Sequence, residues 1–425
     1  MYRKTVRLVI LAVLSVTYCA QAQVANSPYS IRGLGSPQPY NLIHNRGMGG
    51  VGLASGRPWN LNVKNPALLT INSLTTFEAG VSGEYKRISN ADNTTEETSG
   101  RLDYLAVGIP LKSNKATLAL TLLPYTITNY SINAISQVQE SEEEPVLLGF
   151  KGEGGINKVS LSGGYKPFQY LSIGLTGSYI FGAINEETLT TLPEKNTFSN
   201  IAVNERTTVS DLGYGLGVQG RVPVGKDNFF NVGAIYESNS DLKVRRLLTI
   251  ERRRLTSLVV DSDTVLNNTS GSVTVPAKMG LGLSYQVGTK WTFGADLEYQ
   301  DWSEYRNANG NNEDMRESYR MAAGIEWTPD PSSVSNYLER VTYRFGGSIE
   351  NTPFSFNGEQ IEKFGINFGT TFPVSRISNL NMAFEYGRQG KTDNNLIAEE
   401  FFKLSIGVTF NDNSFSFYKN IRKFD

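Results

Sequence analysis

The sequence has one cysteine and one histidine in 425 residues. Cys/His zinc sites and Cys–His catalysis therefore have no material to be built from, and a Ser–His–Asp hydrolase would rest on His44 alone. No nucleophile motif accompanies His44, so no enzyme is expected. Charge of one sign is missing too: 40 basic side chains face 41 acidic ones, which gives no field for nucleic acid. Past the N-terminus, no run approaches the ~18 apolar residues of a transmembrane helix. No βαβ pattern frames a glycine-rich phosphate loop, and no nucleotide, redox or metal cofactor is implied.

What is present begins with a secretory leader over 1–22. Arg3, Lys4 and Arg7 are its basic region, Leu8 to Val16 its apolar run, and Ala20-Gln21-Ala22 its cleavage site. A lipoprotein leader using Cys19 is the alternative, and Tyr18 fits it poorly. Cleavage after Ala22 leaves a chain without cysteine. An exported chain of this size without a disulfide needs a large core or a closed sheet in a membrane.

Residues 23–74 are rich in Gly, Pro and Asn and carry no helix or strand period. From 75 to 411 a single pattern repeats. Phe402, Leu404, Ile406, Val408 and Phe410 alternate with Lys403, Ser405, Gly407 and Thr409. Met279, Leu281, Leu283 and Tyr285 alternate with Lys278, Gly280, Gly282 and Ser284. A period of two is the signature of a strand with unlike faces. The pattern predicts fourteen such strands, from 75–87 to 401–411.

Most connections alternate as well. Short ones, such as 112–115 and 288–290, are interleaved with long polar ones, such as 133–155, 185–208 and 244–271. Short turns at one end and long loops at the other are how outer-membrane barrels are built. Lipid offers no hydrogen bonds to an open sheet edge, so a spanning sheet must close. The expectation is an all-β, fourteen-stranded antiparallel transmembrane barrel over 75–411, with a plug over 23–74 and a charged periplasmic tail over 412–425. A soluble β-sandwich is the alternative. Tyr85, Trp291, Tyr299, Trp302 and Trp327 suit interfacial girdles. Glu78, Glu298, Arg344, Lys403 and other charges fall on the inward face.

The N-terminal segment carries a resemblance. Arg46-Gly47-Met48-Gly49-Gly50-Val51-Gly52-Leu53-Ala54 is followed by Asn65-Pro66-Ala67-Leu68-Leu69-Thr70, then by Thr76-Phe77-Glu78-Ala79-Gly80. This resembles the plug of the FadL-type long-chain fatty acid transporters of bacterial outer membranes, whose relatives take up aromatic hydrocarbons. Ser27 to Gly35 and the tail after Phe410 resemble the Bacteroidetes branch, some of whose barrels partner type IX secretion machinery. The fifteen residues after Phe410 depart from the usual transporter ending on a strand-terminal aromatic.

The resemblance implies an outer-membrane protein for passive uptake of hydrophobic small molecules, above all long-chain fatty acids. Asn65, Pro66 and Ala67 would hold the plug, and an ordinary turn before a strand is the plainer reading of the same residues. Gly47, Gly49, Gly50 and Gly52 would let it pack against the wall. Pro124 removes a ladder hydrogen bond and marks an edge, bulge or kink. The family's third strand is kinked to open a side window, so Pro124 is a candidate lateral gate. A proline above the membrane is the plainer alternative. An inward Arg or Lys could hold a carboxylate. The expected surroundings are outer-membrane lipid and lipopolysaccharide, with the barrel a monomer. The second functional class is a non-transporting barrel that partners a type IX-like secretion complex.

Overall fold

The computed structural model describes residues 26–91, 93–136, 146–191, 199–254, 258–375 and 377–412. The leader, Cys19 and the tail beyond Asp412 lie outside these. Among the described residues, fourteen strands form one closed antiparallel barrel. They are β1 (Thr75–Ser89), β2 (Thr94–Lys112), β3 (Ala116–Ser136), β4 (Val146–Phe168), β5 (Leu171–Thr191) and β6 (Ser199–Pro223). Next come β7 in two pieces (Asn228–Glu237 and Ser240–Arg254) and β8 in two pieces (Leu258–Val275 and Lys278–Val287). Then follow β9 (Trp291–Asp301), β10 (Glu317–Trp327), β11 (Thr342–Phe356), β12 (Glu359–Pro373), β13 (Ser378–Gln389) and β14 (Ala398–Asp412). Both pieces of β7 pair with β6, and the pieces of β8 pair with the matching pieces of β7. The ladder between β14 and β1, from Ala398↔Ser89 to Asp412↔Thr75, closes the wall.

The alternation read from the sequence sets which face is which. On β14, Phe402, Val408 and Phe410 point out and are 43–52% exposed, while Ser405 and Thr409 point in and are buried. The outward row of Met279, Leu281 and Leu283 behaves the same way. Such a face suits lipid. Trp302 differs from the expectation. It lies in a 3-10 turn above β9 and is buried against Tyr305, because it caps the lumen and does not face lipid.

The long connections also differ from the expected polar loops. Much of 133–155, 185–208 and 244–271 continues the ladders as tall hairpins. The β9–β10 connection stays irregular, with Trp302, Tyr305 and Met315 packed under Val244, Val273 and Phe354. Together with Tyr29, Leu34, Ile180 and Leu242 they make an apolar mass that closes the long-loop end. Among the described residues no helix is long and apolar enough to cross a membrane.

Residues 26–74 occupy the lumen. They form a 3-10 turn (Pro28–Ile31), a two-residue strand (Ser36–Pro37), one helical turn, α1 (Ile43–Arg46), and a second 3-10 turn (Pro66–Ile71). Leu42, Ile43, Leu53, Leu61 and Leu69 are fully buried. A polar, irregular backbone is tolerated at this depth because protein, not lipid, surrounds it.

Candidate functional site

Asn65 fastens the plug. Its Oδ1 accepts from Ala67 N at 3.0 Å and caps the 3-10 turn that Pro66 opens. Its Nδ2 donates to Leu53 O at 2.8 Å and to Val218 O of β6 at 3.1 Å. One side chain thus starts a turn, ties two parts of the plug together and fastens both to the wall. Pro66 and Ala67 pack where Gly174 and Gly217 leave the wall bare of side chains.

The same device runs along the whole plug. A Cβ on Gly47 would lie 2.7 Å from Gly369 Cα. Gly49 (φ +71°) faces Gly347, and Gly50 has φ +83°. Both lie in the left-handed region that glycine tolerates best. A Cβ on Gly52 would crowd the Asn45 amide. Met48 rests on Gly324 and Gly346, and Leu53 on Gly233 and Gly282. The inward glycines of the strands therefore trace the path of the plug.

Ion pairs complete the attachment. Arg46 Nη1 meets Asp103 Oδ2 at 2.5 Å. Arg57 Nε meets Glu326 Oε1 at 2.6 Å, and Arg344 holds the other oxygen at 2.7 Å. Lys64 Nζ lies 3.0 Å from Asp296 Oδ2 and 2.7 Å from Glu298 Oε1. Asp296 Oδ2 also accepts from Gly52 N at 2.8 Å and Leu53 N at 3.0 Å. These groups are nearly all buried, so removing one partner leaves a charge without water or a counter-ion. His44 Nδ1 sits 3.9 Å from Glu78 Oε2. Burial, aided by Arg344, pushes the His44 imidazole down to about 3, so it is neutral at neutral pH and works as packing.

Between the plug and the apolar cap lies a chamber of about 210 Å³. Glu84, Lys86, Arg101, Lys278, Glu298, Arg320 and Lys403 line it. Most of its cations are committed: Lys278 to Glu298 at 2.5 Å, Lys86 to Glu399 at 2.9 Å and Arg101 to Asp103 at 3.0 Å. Lys363 stands over the Phe401 ring at 5.1 Å. The inward charges are chiefly a structural network. Among the described residues, no group of three or more His, Cys, Asp or Glu side chains could hold a metal.

Pro124 stands at a change in the wall. The β2–β3 ladder runs only from Lys112↔Ala116 to Leu105↔Leu122. Above it, among the wall strands, β2 continues on β1 alone and β3 on β4 alone. Tyr125 is the extra residue of a bulge between Pro124↔Asn157 and Thr126↔Ile156. The plug's first residues lie along the freed edge of β3. Ser36↔Ile127 and Pro37↔Thr126 pair, Gln38 N donates to Tyr125 O at 2.9 Å, and Ser27 N to Asn129 O at 2.7 Å. Asn26 N reaches across to Glu97 of β2 at 2.7 Å. This seam is a property of backbone pairing, and Pro124 was its one trace in the sequence. Asp296 and Lys64 were not distinguishable from other charges. The inward glycines were a legible signal: one recurs at mid-strand on wall after wall.

A family model described as BamG matches residues 1–423. No curated protein matches the chain in sequence. Among solved structures, the Pseudomonas putida toluene transporter TodX superposes with a TM-score of 0.57 at 14% identity, covering 90% of this chain and 100% of its own. The Ralstonia pickettii toluene transporter TbuX gives 0.56 at 15% identity, covering 87% and 97%. A Pseudomonas aeruginosa FadL homologue gives 0.54 at 12% identity, covering 89% and 99%. At these identities the likeness is one of fold, and the fold is the FadL type.

Proposed function

The chain belongs to the BamG family, and from that premise we propose that it is a sealed, non-catalytic outer-membrane barrel that acts as a docking partner in a protein-secretion complex. The observation that carries this reading is the lumen. An apolar mass closes one end, a plug held by ion pairs closes the other, and the space between is charged. A hydrophobic ligand gains ~25 cal/mol per Å² of apolar surface that it buries. A charged chamber offers little such surface, and a passive ligand brings no other energy with which to break buried ion pairs at roughly 3–5 kcal/mol each. The tall hairpins of β4 to β8 supply the protein-facing surface a partner needs.

The test is extraction of a tagged chain in mild detergent, with conductance of the purified barrel measured in parallel. Co-purification of a partner in fixed proportion with an electrically silent barrel is expected. A solitary barrel that restores labelled oleate uptake to cells lacking their own transporter overturns the reading.

A second reading, uptake of hydrophobic small molecules with long-chain fatty acids as the first candidate, is favoured by the seam. Two of the similar structures are named toluene transporters, and a wall whose β2–β3 pairing stops at Leu105 and Leu122, with only the plug's first residues along the β3 edge above, offers a place for a sideways exit toward lipid once those residues move. Here Pro124→Val is expected to extend the ladder and lower uptake several-fold, with the folded barrel retained in a heat-shift gel. Unchanged uptake removes Pro124 from any gate.

A further inference from the structure

At the short-turn end, the connections at 113–115, 169–170, 224–227 and 288–290 are tight. The β10–β11 connection, 328–341, is much longer and yet closely organised. Asp330 Oδ1 accepts from Ser332 N at 3.0 Å and Oγ at 2.7 Å, and Asp330 N donates to Glu339 O at 2.9 Å. Asn336 caps a 3-10 turn (Tyr337–Arg340) by accepting from Leu338 N at 3.1 Å. The hydroxyls of Thr328 and Thr342 pin the base at 2.8 Å. This framework holds three apolar side chains outward: Val334 at 97% exposure, Leu338 at 59% and Tyr337 at 41%. An ordered loop that presents apolar side chains marks an interaction site.

Its surroundings identify the occupant. Tyr343 Oη donates to Leu338 O at 3.3 Å. Tyr343 belongs to the outward aromatic row, 5.7 Å from Trp327, which is stacked 5.4 Å from Trp291. The Tyr337–Leu338 turn is therefore continuous with the lipid-facing belt at its aromatic border, and Val334 projects beside it. Arg340 lies over the Tyr337 ring at 5.2 Å, placing a cation beside an amphipathic aromatic. That pairing suits the headgroup zone, where an apolar body and a polar tip are both satisfied. We propose that the β10–β11 loop is an interfacial foot that seats Val334, Tyr337 and Leu338 in the phospholipid leaflet on the short-turn side. This rests on the reading of the outward belt as bilayer-spanning.

With Cys19, the chain's one cysteine, replaced by serine, single labelling is possible. Val334→Cys and Leu338→Cys would carry an environment-sensitive fluorophore in vesicles of phosphatidylethanolamine and phosphatidylglycerol. Leu281→Cys in the belt and Lys226→Cys in a tight turn at the same end are the references. Nitroxide-bearing lipid should quench the Val334 and Leu338 probes at least twofold, as it quenches Leu281, while aqueous iodide acts mainly on Lys226. If either loop probe behaves like Lys226, the loop stands in water as a protein-facing surface and the proposal is overturned. If the Leu281 probe also escapes lipid quenching, the bilayer-spanning reading fails first, and the foot fails with it.

Discussion

Asp296→Ala is expected to turn a silent barrel into a conducting one. The lost carboxylate accepted from two plug amides, Gly52 and Leu53, and from Lys64. Lys64 would then depend on Gly50 O and on Glu298, which Lys278 and Arg320 already share. Breaking a buried pair costs about 3–5 kcal/mol, and each buried amide left unmatched about 1–3 kcal/mol. The strand ladders do not depend on Asp296, so the loss falls on plug seating. Asp296→Asn keeps an acceptor for the amides and should sit between the two. Planar-bilayer conductance, with a heat-shift gel for folding, is the measurement. A closed trace from folded Asp296→Ala would show that the latch lies elsewhere or that the apolar mass at the long-loop end seals the barrel without it.

A larger disturbance is expected from Gly324→Leu. A Cβ there would lie 2.5 Å from both Cγ and the carbonyl oxygen of Met48. Backbone cannot yield as a flexible side-chain end can, so the overpacking cost should reach or pass the usual 1–3 kcal/mol. Outward side chains and ladder hydrogen bonds are untouched. The plug around Met48 should therefore become cleavable by protease while the barrel keeps its gel shift. Gly177→Leu is the matched control, since a Cβ at Gly177 meets nothing within 4 Å. Equal protease resistance in the two variants would mean that the plug does not need the bare wall.

These two sites differ in how far the sequence disclosed them. The barrel was legible because a membrane enforces polarity on alternate residues, and a period of two survives even where boundaries blur. Above the lipid that enforcement stops. Leu258 to Leu266 is exposed along nearly all its length, so Asp261-Ser262-Asp263-Thr264 looks like a loop although it continues β8. Trp302 follows directly on β9 and resembles a girdle residue for that reason alone. Asn65 was visible because Asn-Pro has strong local consequences. Asp296 was not, because its importance comes from residues some 240 positions earlier (|i−j| of 232 to 244).

The enclosed plug also constrains the order of assembly. Residues 26–74 leave the ribosome before any strand of the wall, but the wall that surrounds them closes only when Ala398–Asp412 meets Thr75–Ser89. That last ladder joins the most distant strands of the chain, and distant contacts form slowly. Throughout the interval Leu42, Ile43, Leu53, Leu61 and Leu69 have no wall to bury them. Once the final strand docks, the apolar mass closes the long-loop end, and the short-turn end is the one that the plug itself seals. A chain delayed before its last strand therefore carries its future interior on the outside, where a chaperone or a neighbouring chain will find it.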